Sequence, residues 1–228
     1  MPETGDERRT TADSSNPQPP TPNPFLGAAA HLRAADPVLA GLITAHGACT
    51  LTPEPDLFAA LADSIISQQI SVKAADAILR RFRALLPTGA LDPAAILALP
   101  EASIRAAGLS GAKVVYIRDL AAHVVDGRLD LGALATAPDD AVITALTAVK
   151  GIGRWTAEMF LIFALGRLDV LPVGDLGLRR AVQRRYALPD LPTPAFLITL
   201  ATPWRPYRSV ATWYLWRSLA EGPVIGDR

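Results

Sequence analysis

The residues of this chain best suited to chemistry fall in one stretch. Residues 146–180 read LTAVKGIGRWTAEMFLIFALGRLDVLPVGDLGLRR. Gly151 and Gly153 bracket Ile152 between two helical patterns, a helix–hairpin–helix arrangement. Glycine permits positive φ and lets another backbone approach closely. A helix starting directly after such a turn aims free N–H groups and its positive dipole end at an anion such as a DNA phosphate. Lys150 adds charge beside the turn, and Ile152 is placed to anchor it in the core. The turn's carbonyls also suit a monovalent cation. The same glycine pair equally makes an ordinary αα-hairpin, and taken alone it leaves both readings open.

Asp175 stands some twenty residues later, before the arginine-rich segment LGLRRAVQRRY. It reads either as the N-cap of that helix or as a carboxylate in an apolar groove, because residues 170–174 carry no charge. In a groove it would steady positive charge on a sugar or orient a water. Trp155 follows the turn, and Trp213, Tyr214 and Trp216 cluster near the C-terminus. Aromatic faces stack on bases and attract cationic rings, and they also pack cores.

The elements that position these residues read as helices. Asp36-Pro37 opens a segment that Gly47 closes. Phe58, Leu61 and Ile65 recur at helical spacing. Ser71 is a fitting N-cap for a helix whose apolar face runs Val72, Ala75, Leu79, Phe82 and Leu86. Two short helices follow, the second closed by Gly108, and Ser110 caps another that stops near Gly127. Thr136 stands three residues before Asp139, a near capping box. Further helical segments are RWTAEMFLIFAL, LGLRRAVQRRYAL, PAFLITLA and PYRSVATWYLWRSLAEG. Alternating runs are short, so the expected fold is all-α with about ten helices.

Composition bounds the function. Half of the 228 residues are hydrophobic, which suits a globular chain. No apolar run is long enough to span a bilayer, and residues 1–24 read as a disordered Pro/Ser/Thr tail without a secretory signal. Cys49 is the only cysteine, which excludes internal disulfides and four-cysteine zinc or iron–sulfur sites and points to a reducing cytoplasm. His31, His46 and His123 have no ligand spacing. Net charge is zero, but residues 150–228 hold eleven Lys/Arg against six Asp/Glu, so one face can attract phosphates. Arginine outnumbers lysine nineteen to three, a compositional bias that lowers the weight of any single arginine cluster.

The 146–180 stretch resembles the helix–hairpin–helix-Gly/Pro-Asp DNA glycosylases, and within them the 3-methyladenine DNA glycosylase II group. DLFAALADSIISQQISVKAADAIL, GLSGAKVVYIRDLA and WRPYRSVATWYLWR fit the same group in the same order. The likeness covers roughly residues 36–221. It implies two helical lobes with an active cleft between them. A six-helix barrel with the hairpin would span residues 58–165, and a second lobe would join residues 25–57 to 166–228.

The resemblance also implies residue roles. Asp175 matches the catalytic aspartate, which favours the groove reading over the cap. Trp155 and Trp216 match base-facing positions, with Met159 and Tyr214 in the same base-binding set. Gly151 and Gly153 match the phosphate-binding turn, flanked by Lys150 and Arg154. Gln69 matches the wedge that fills the gap left by a flipped nucleotide, with Gln68 and Ser71 as further DNA contacts. The main-chain carbonyls of Thr147, Val149 and Ile152 match those that hold Na+ or K+. No cofactor is implied for the chemistry, and no iron–sulfur cluster.

Departures from the family pattern sharpen the expectation. Too few residues precede Phe58 for the mixed α/β domain of larger bacterial members. Gln69 is polar where some relatives are apolar, and Met159 replaces an aromatic residue. Trp155 stands where strand-cutting relatives carry a nucleophilic lysine, so no Schiff base can form there. The resulting expectation is a monomeric, monofunctional glycosylase, cytoplasmic and nucleoid-associated, that hydrolytically releases alkylated purines from double-stranded DNA. Two alternatives are a bifunctional glycosylase/lyase for oxidised bases and a non-catalytic helix–hairpin–helix DNA-binding module.

Overall fold

A computed structural model describes residues 25–219, which are helical with no strands among them. Thirteen α-helices occur among the described residues, more than the about ten expected, because short capped turns such as α8 (Leu131–Leu134) escape a periodicity reading. The expected tail, residues 1–24, lies outside the described residues, as do residues 220–228.

One group of helices begins with α3 (Leu57–Ser67), which packs against α4 (Val72–Arg83) and α7 (Gly111–Val125). Helices α5 (Pro93–Ala98) and α6 (Glu101–Ala106) also lie on α7. Helix α9 (Asp139–Thr147) packs on α10 (Arg154–Met159), and α10 continues into a π-helical turn, Phe160–Ala164, that reaches back to α3. The caps are local. Asp56, Ser71 and Ser110 each accept a backbone N–H at the start of α3, α4 and α7.

The second group joins the two ends of the chain. Helices α1 (Leu26–Ala35) and α2 (Pro37–His46) pack on each other, and α2 packs on α13 (Arg208–Arg217). Helix α13 packs on α11 (Leu176–Arg185), while α12 (Pro194–Leu200) leads into a 3-10 turn, Thr202–Trp204, that touches α1. Buried Asp36 ties this lobe together. Its Oδ1 accepts Val38 and Leu39 N–H at the start of α2, and its Oδ2 accepts the Tyr186 hydroxyl at 2.6 Å and the Trp204 indole at 2.9 Å. A carboxylate out of water needs such partners.

Two local expectations are corrected. Val72 is 78% exposed, because it opens α4 before that helix meets the core. The apolar stripe starts one turn later at Ala75 and continues through Leu79 and Phe82. Thr136 does not cap α9. Its hydroxyl donates to the Ala133 carbonyl, Pro138 is the N-cap, and Asp139 and Asp140 supply the acidic first turn.

Candidate active site

Asp175 is both cap and groove carboxylate. Its Oδ1 accepts the Leu178 N–H at 2.5 Å, which starts α11. The same oxygen accepts the Trp216 indole N–H at 2.8 Å, and Oδ2 accepts the Trp155 indole N–H at 2.8 Å. Trp155 comes from the start of α10 and Trp216 from the end of α13, so the carboxylate sits where the two lobes meet. The loop before it is pinned from α13 and from the turn that precedes α13. Ser209 Oγ accepts the Val170 N–H at 2.9 Å, and Arg208 and Arg205 both hold the Asp169 carboxylate. Asp175 is half-buried, with three donors fixing its geometry while the side chain keeps an open aspect.

Beside it lies a cavity of about 620 Å³ between α3, the segment 50–54 and the π-helical turn. Its apolar walls include Leu61, Met159, Phe160, Phe163 and Trp213. Phe163 stacks on Trp216 at 5.7 Å with the planes 18° apart, which links the cavity wall to the Asp175 cluster. Trp155 is 48% exposed. Of the expected base-facing residues Met159 lines the cavity, while Trp155, Trp216 and Asp175 lie outside its lining.

The glycine turn is asymmetric. Gly151 has φ +82°, and a Cβ there would fall inside the ring of Tyr116. Gly153 has ordinary φ −93° and open space around its Cβ position, so of the two glycines only Gly151 uses positive φ. Its bareness instead leaves the approach to α10 clear. Val149 and Ile152 are buried, so the turn is anchored as expected. The Val149 carbonyl accepts the Ile152 N–H at 3.1 Å. Among the described residues no loop or turn N–H donates to the Thr147 or Ile152 carbonyl. Lys150 is exposed, with Asp119 beneath it. The carboxylate accepts the Lys150 backbone N–H at 2.9 Å and lies 3.9 Å from the ammonium. Arg154 donates to buried Glu158 at 3.0 Å and stays 68% exposed. Burial raises the Glu158 pKa, Arg154 opposes the shift, and the Asp175 charge adds to it.

Gln69 is exposed at φ +58°, rare for a residue with a side chain. The bend is held from below. Lys113 Nζ donates to the Ile66 and Gln68 carbonyls, both at 2.7 Å. Gln68 Nε2 donates to the Gly151 carbonyl at 3.0 Å, which ties the Gln69 loop to the glycine turn. Gln68 is half-buried and joins the two loops. Ser71 is exposed and caps α4.

Tyr214 is the clearest correction among the base-facing candidates. It is fully buried and its hydroxyl donates to the Gly47 carbonyl at 2.8 Å, because its side of α13 faces α2. Sequence reasoning missed three contributors. Phe163 follows Trp155 and Met159 at four-residue steps, a spacing that marks a shared face. Asp63 is the only charge inside α3. Lys113, one of only three lysines, gave no local signal of its partners.

Comparison with known proteins follows this geometry. Residues 62–206 match the HhH-GPD superfamily base excision DNA repair protein family. The DNA-3-methyladenine glycosylase 1 of Schizosaccharomyces pombe is 35% identical over 157 residues, 68% of this chain and 69% of that protein. The structure of a 3-methyladenine DNA glycosylase from the same yeast, in complex with abasic DNA, superposes with a TM-score of 0.76 at 31% identity, over 85% of this chain and 97% of that one. A DNA-3-methyladenine glycosidase from Bacillus halodurans gives 0.78 at 40% identity, over 85% and 89%. With the hairpin, the aspartate after it and the two-lobed helical fold all in place, the chain belongs to the HhH-GPD superfamily of base excision DNA repair proteins.

Proposed function

We propose that this protein is a monofunctional DNA glycosylase that releases alkylated purines of the 3-methyladenine type from double-stranded DNA. The observation that carries the reading is the Asp175 carboxylate, held by the indoles of Trp155 and Trp216 beside an aromatic-walled cavity. The relatives named as 3-methyladenine glycosylases support the substrate class.

The chemistry follows from the charge of the base. The glycosidic bond is unreachable within the stack, so the nucleotide is extruded, with Gln69 in the gap and a phosphate at the glycine turn. An alkylated ring nitrogen makes the purine a cation, and the bond electrons leave with the base and neutralise it. Positive charge develops on the sugar, where Asp175 stabilises it. Water adds to the anomeric carbon and gives up a proton, leaving a free base and an abasic site. A cation on the Thr147, Val149 and Ile152 carbonyls would add positive charge beside the phosphate. None of the three lysines lines the cavity, which supports hydrolysis over Schiff-base strand cleavage. No described helix is long and apolar enough to cross a membrane. The protein is read as a cytoplasmic monomer.

The test is incubation with randomly methylated DNA, with released bases identified by chromatography. Asp175→Asn is expected to abolish release while sparing DNA binding. Near-normal turnover by that variant would sink the assignment, and borohydride trapping of a protein–DNA adduct would turn it towards a lyase.

A further inference from the structure

The polar groups on the lining of the cavity divide by whether the protein already uses them. The Asp63 carboxylate is taken, since Oδ2 accepts from Arg83 at 3.3 Å and Oδ1 is sealed off. Thr52 and Glu54 stand at the exposed edge. The Thr52 hydroxyl donates to the Thr50 carbonyl, and the Glu54 carboxylate accepts the Asp56 N–H. Ser64 on α3 and Thr156 on α10 differ from these. Thr156 is only 5% exposed and Ser64 is half-buried, yet neither hydroxyl bonds a group among the described residues. Neither oxygen is sealed off, and the cavity is the opening that both residues line. Buried polar groups are satisfied with few exceptions, so two such hydroxyls on one hollow point to a ligand that completes them. The hollow is also tied to the Asp175 cluster at two points. Thr156 follows Trp155 in the chain, and Phe163 stacks on Trp216.

We infer that the Ser64 and Thr156 hydroxyls are specificity-determining groups that bond the edge of the extruded purine and let one cavity take both amino and oxo purines. The inference rests on the glycosylase reading and deepens it. A hydroxyl carries one donor hydrogen and two acceptor lone pairs, and it rotates to suit its partner. Towards an alkylated adenine it accepts from the exocyclic amino group. Towards an alkylated guanine it donates to the exocyclic oxygen. A lysine could only donate and a carboxylate only accept, so either would favour one of the two bases. The hydroxyls thus set which purines are admitted, while the positive charge of the base and the Asp175 carboxylate set how fast the bond breaks.

The experiment compares the full chain with Ser64→Ala, Thr156→Val and Thr156→Ser. It measures kcat/KM for release of 3-methyladenine and 7-methylguanine from methylated DNA, and affinity for a duplex with a tetrahydrofuran abasic mimic. Ser64→Ala and Thr156→Val are each expected to lose roughly three- to tenfold in release of both bases. Thr156→Ser, which keeps the hydroxyl and drops a methyl, loses less than Thr156→Val, which keeps the shape and drops the hydroxyl. Affinity for the mimic, which puts no base in the cavity, stays at the wild-type value in all three. Wild-type release by either Ser64→Ala or Thr156→Val overturns the inference and leaves the glycosylase reading intact. So does a loss confined to one of the two bases, an equal loss of affinity for the mimic, or a Thr156→Ser defect as deep as that of Thr156→Val. A wild-type protein that releases no base overturns both.

Discussion

Trp155 and Asp175, twenty positions apart on different helices, meet at 2.8 Å through the indole N–H and the carboxylate Oδ2. On the proposed reading the tryptophan has two tasks, a π face for the base and a donor that fixes the acid. Trp155→Phe separates them, because it keeps a ring and deletes the donor. Release of methylated purines is expected to fall roughly tenfold through kcat, with little change in DNA affinity. Single-turnover rates alongside binding isotherms measure the split.

The two glycines of the turn predict different outcomes. Gly151→Ala forces a side chain onto Tyr116 at a left-handed φ and is expected to cost about 1–3 kcal/mol. Gly153→Ala meets nothing inside the protein. Its Tm should match the wild type while DNA affinity falls, since the added methyl lies on the approach to α10. Thermal melts and fluorescence anisotropy on the same preparations decide the matter.

Lys113 predicts a defect in base extrusion without loss of fold. Lys113→Met deletes both ammonium bonds that hold the loop of Gln69. Binding of undamaged DNA through the glycine turn should persist, and the fluorescence rise of a 2-aminopurine beside the lesion should shrink. Intact extrusion in this variant would mean that the Gln69 bend holds without the lysine.

Glu158 predicts a pH effect of definite sign. Its folded pKa is raised, mainly by burial, so between the unfolded value and the folded one the native state binds more protons. Stability from this group is fully present below the unfolded pKa and is lost as pH rises through the folded one. Tm of the wild type should therefore fall relative to Glu158→Gln as pH climbs through the mildly acidic range. Parallel profiles for the two proteins would remove the effect.

Much of this was legible in the residues themselves. Caps are local chemistry, so Asp36, Ser71 and Ser110 announced their helices, and Gly151 announced a turn. Asp175 offered two readings because one side chain performs both. What stayed hidden depends on partners distant in sequence. Tyr214 and Trp216 are two positions apart on α13, yet one is buried against α2 and the other meets the groove. Only the docking of the other lobe decides which faces inward. Gly153 looked equivalent to Gly151, but φ and neighbours separate them. The π-helical turn itself leaves no mark in the apolar spacing, although Phe163 keeps the four-residue step from Met159.

The lobe built from both chain ends has a consequence for biosynthesis. Helices α1 and α2 precede the hairpin lobe in the chain, yet their partners, α13 and the turn Thr202–Trp204, follow it. The hairpin lobe can complete its own packing while the nascent chain is still growing, in line with the usual folding of domains as units. Until the segments after the hairpin lobe are made, Asp36 lacks the Tyr186 and Trp204 donors, and until α13 is made Asp175 lacks Trp216. A polypeptide without α13 would thus hold Asp175 by one indole instead of two, so on the proposed reading the acid is set only once α13 docks.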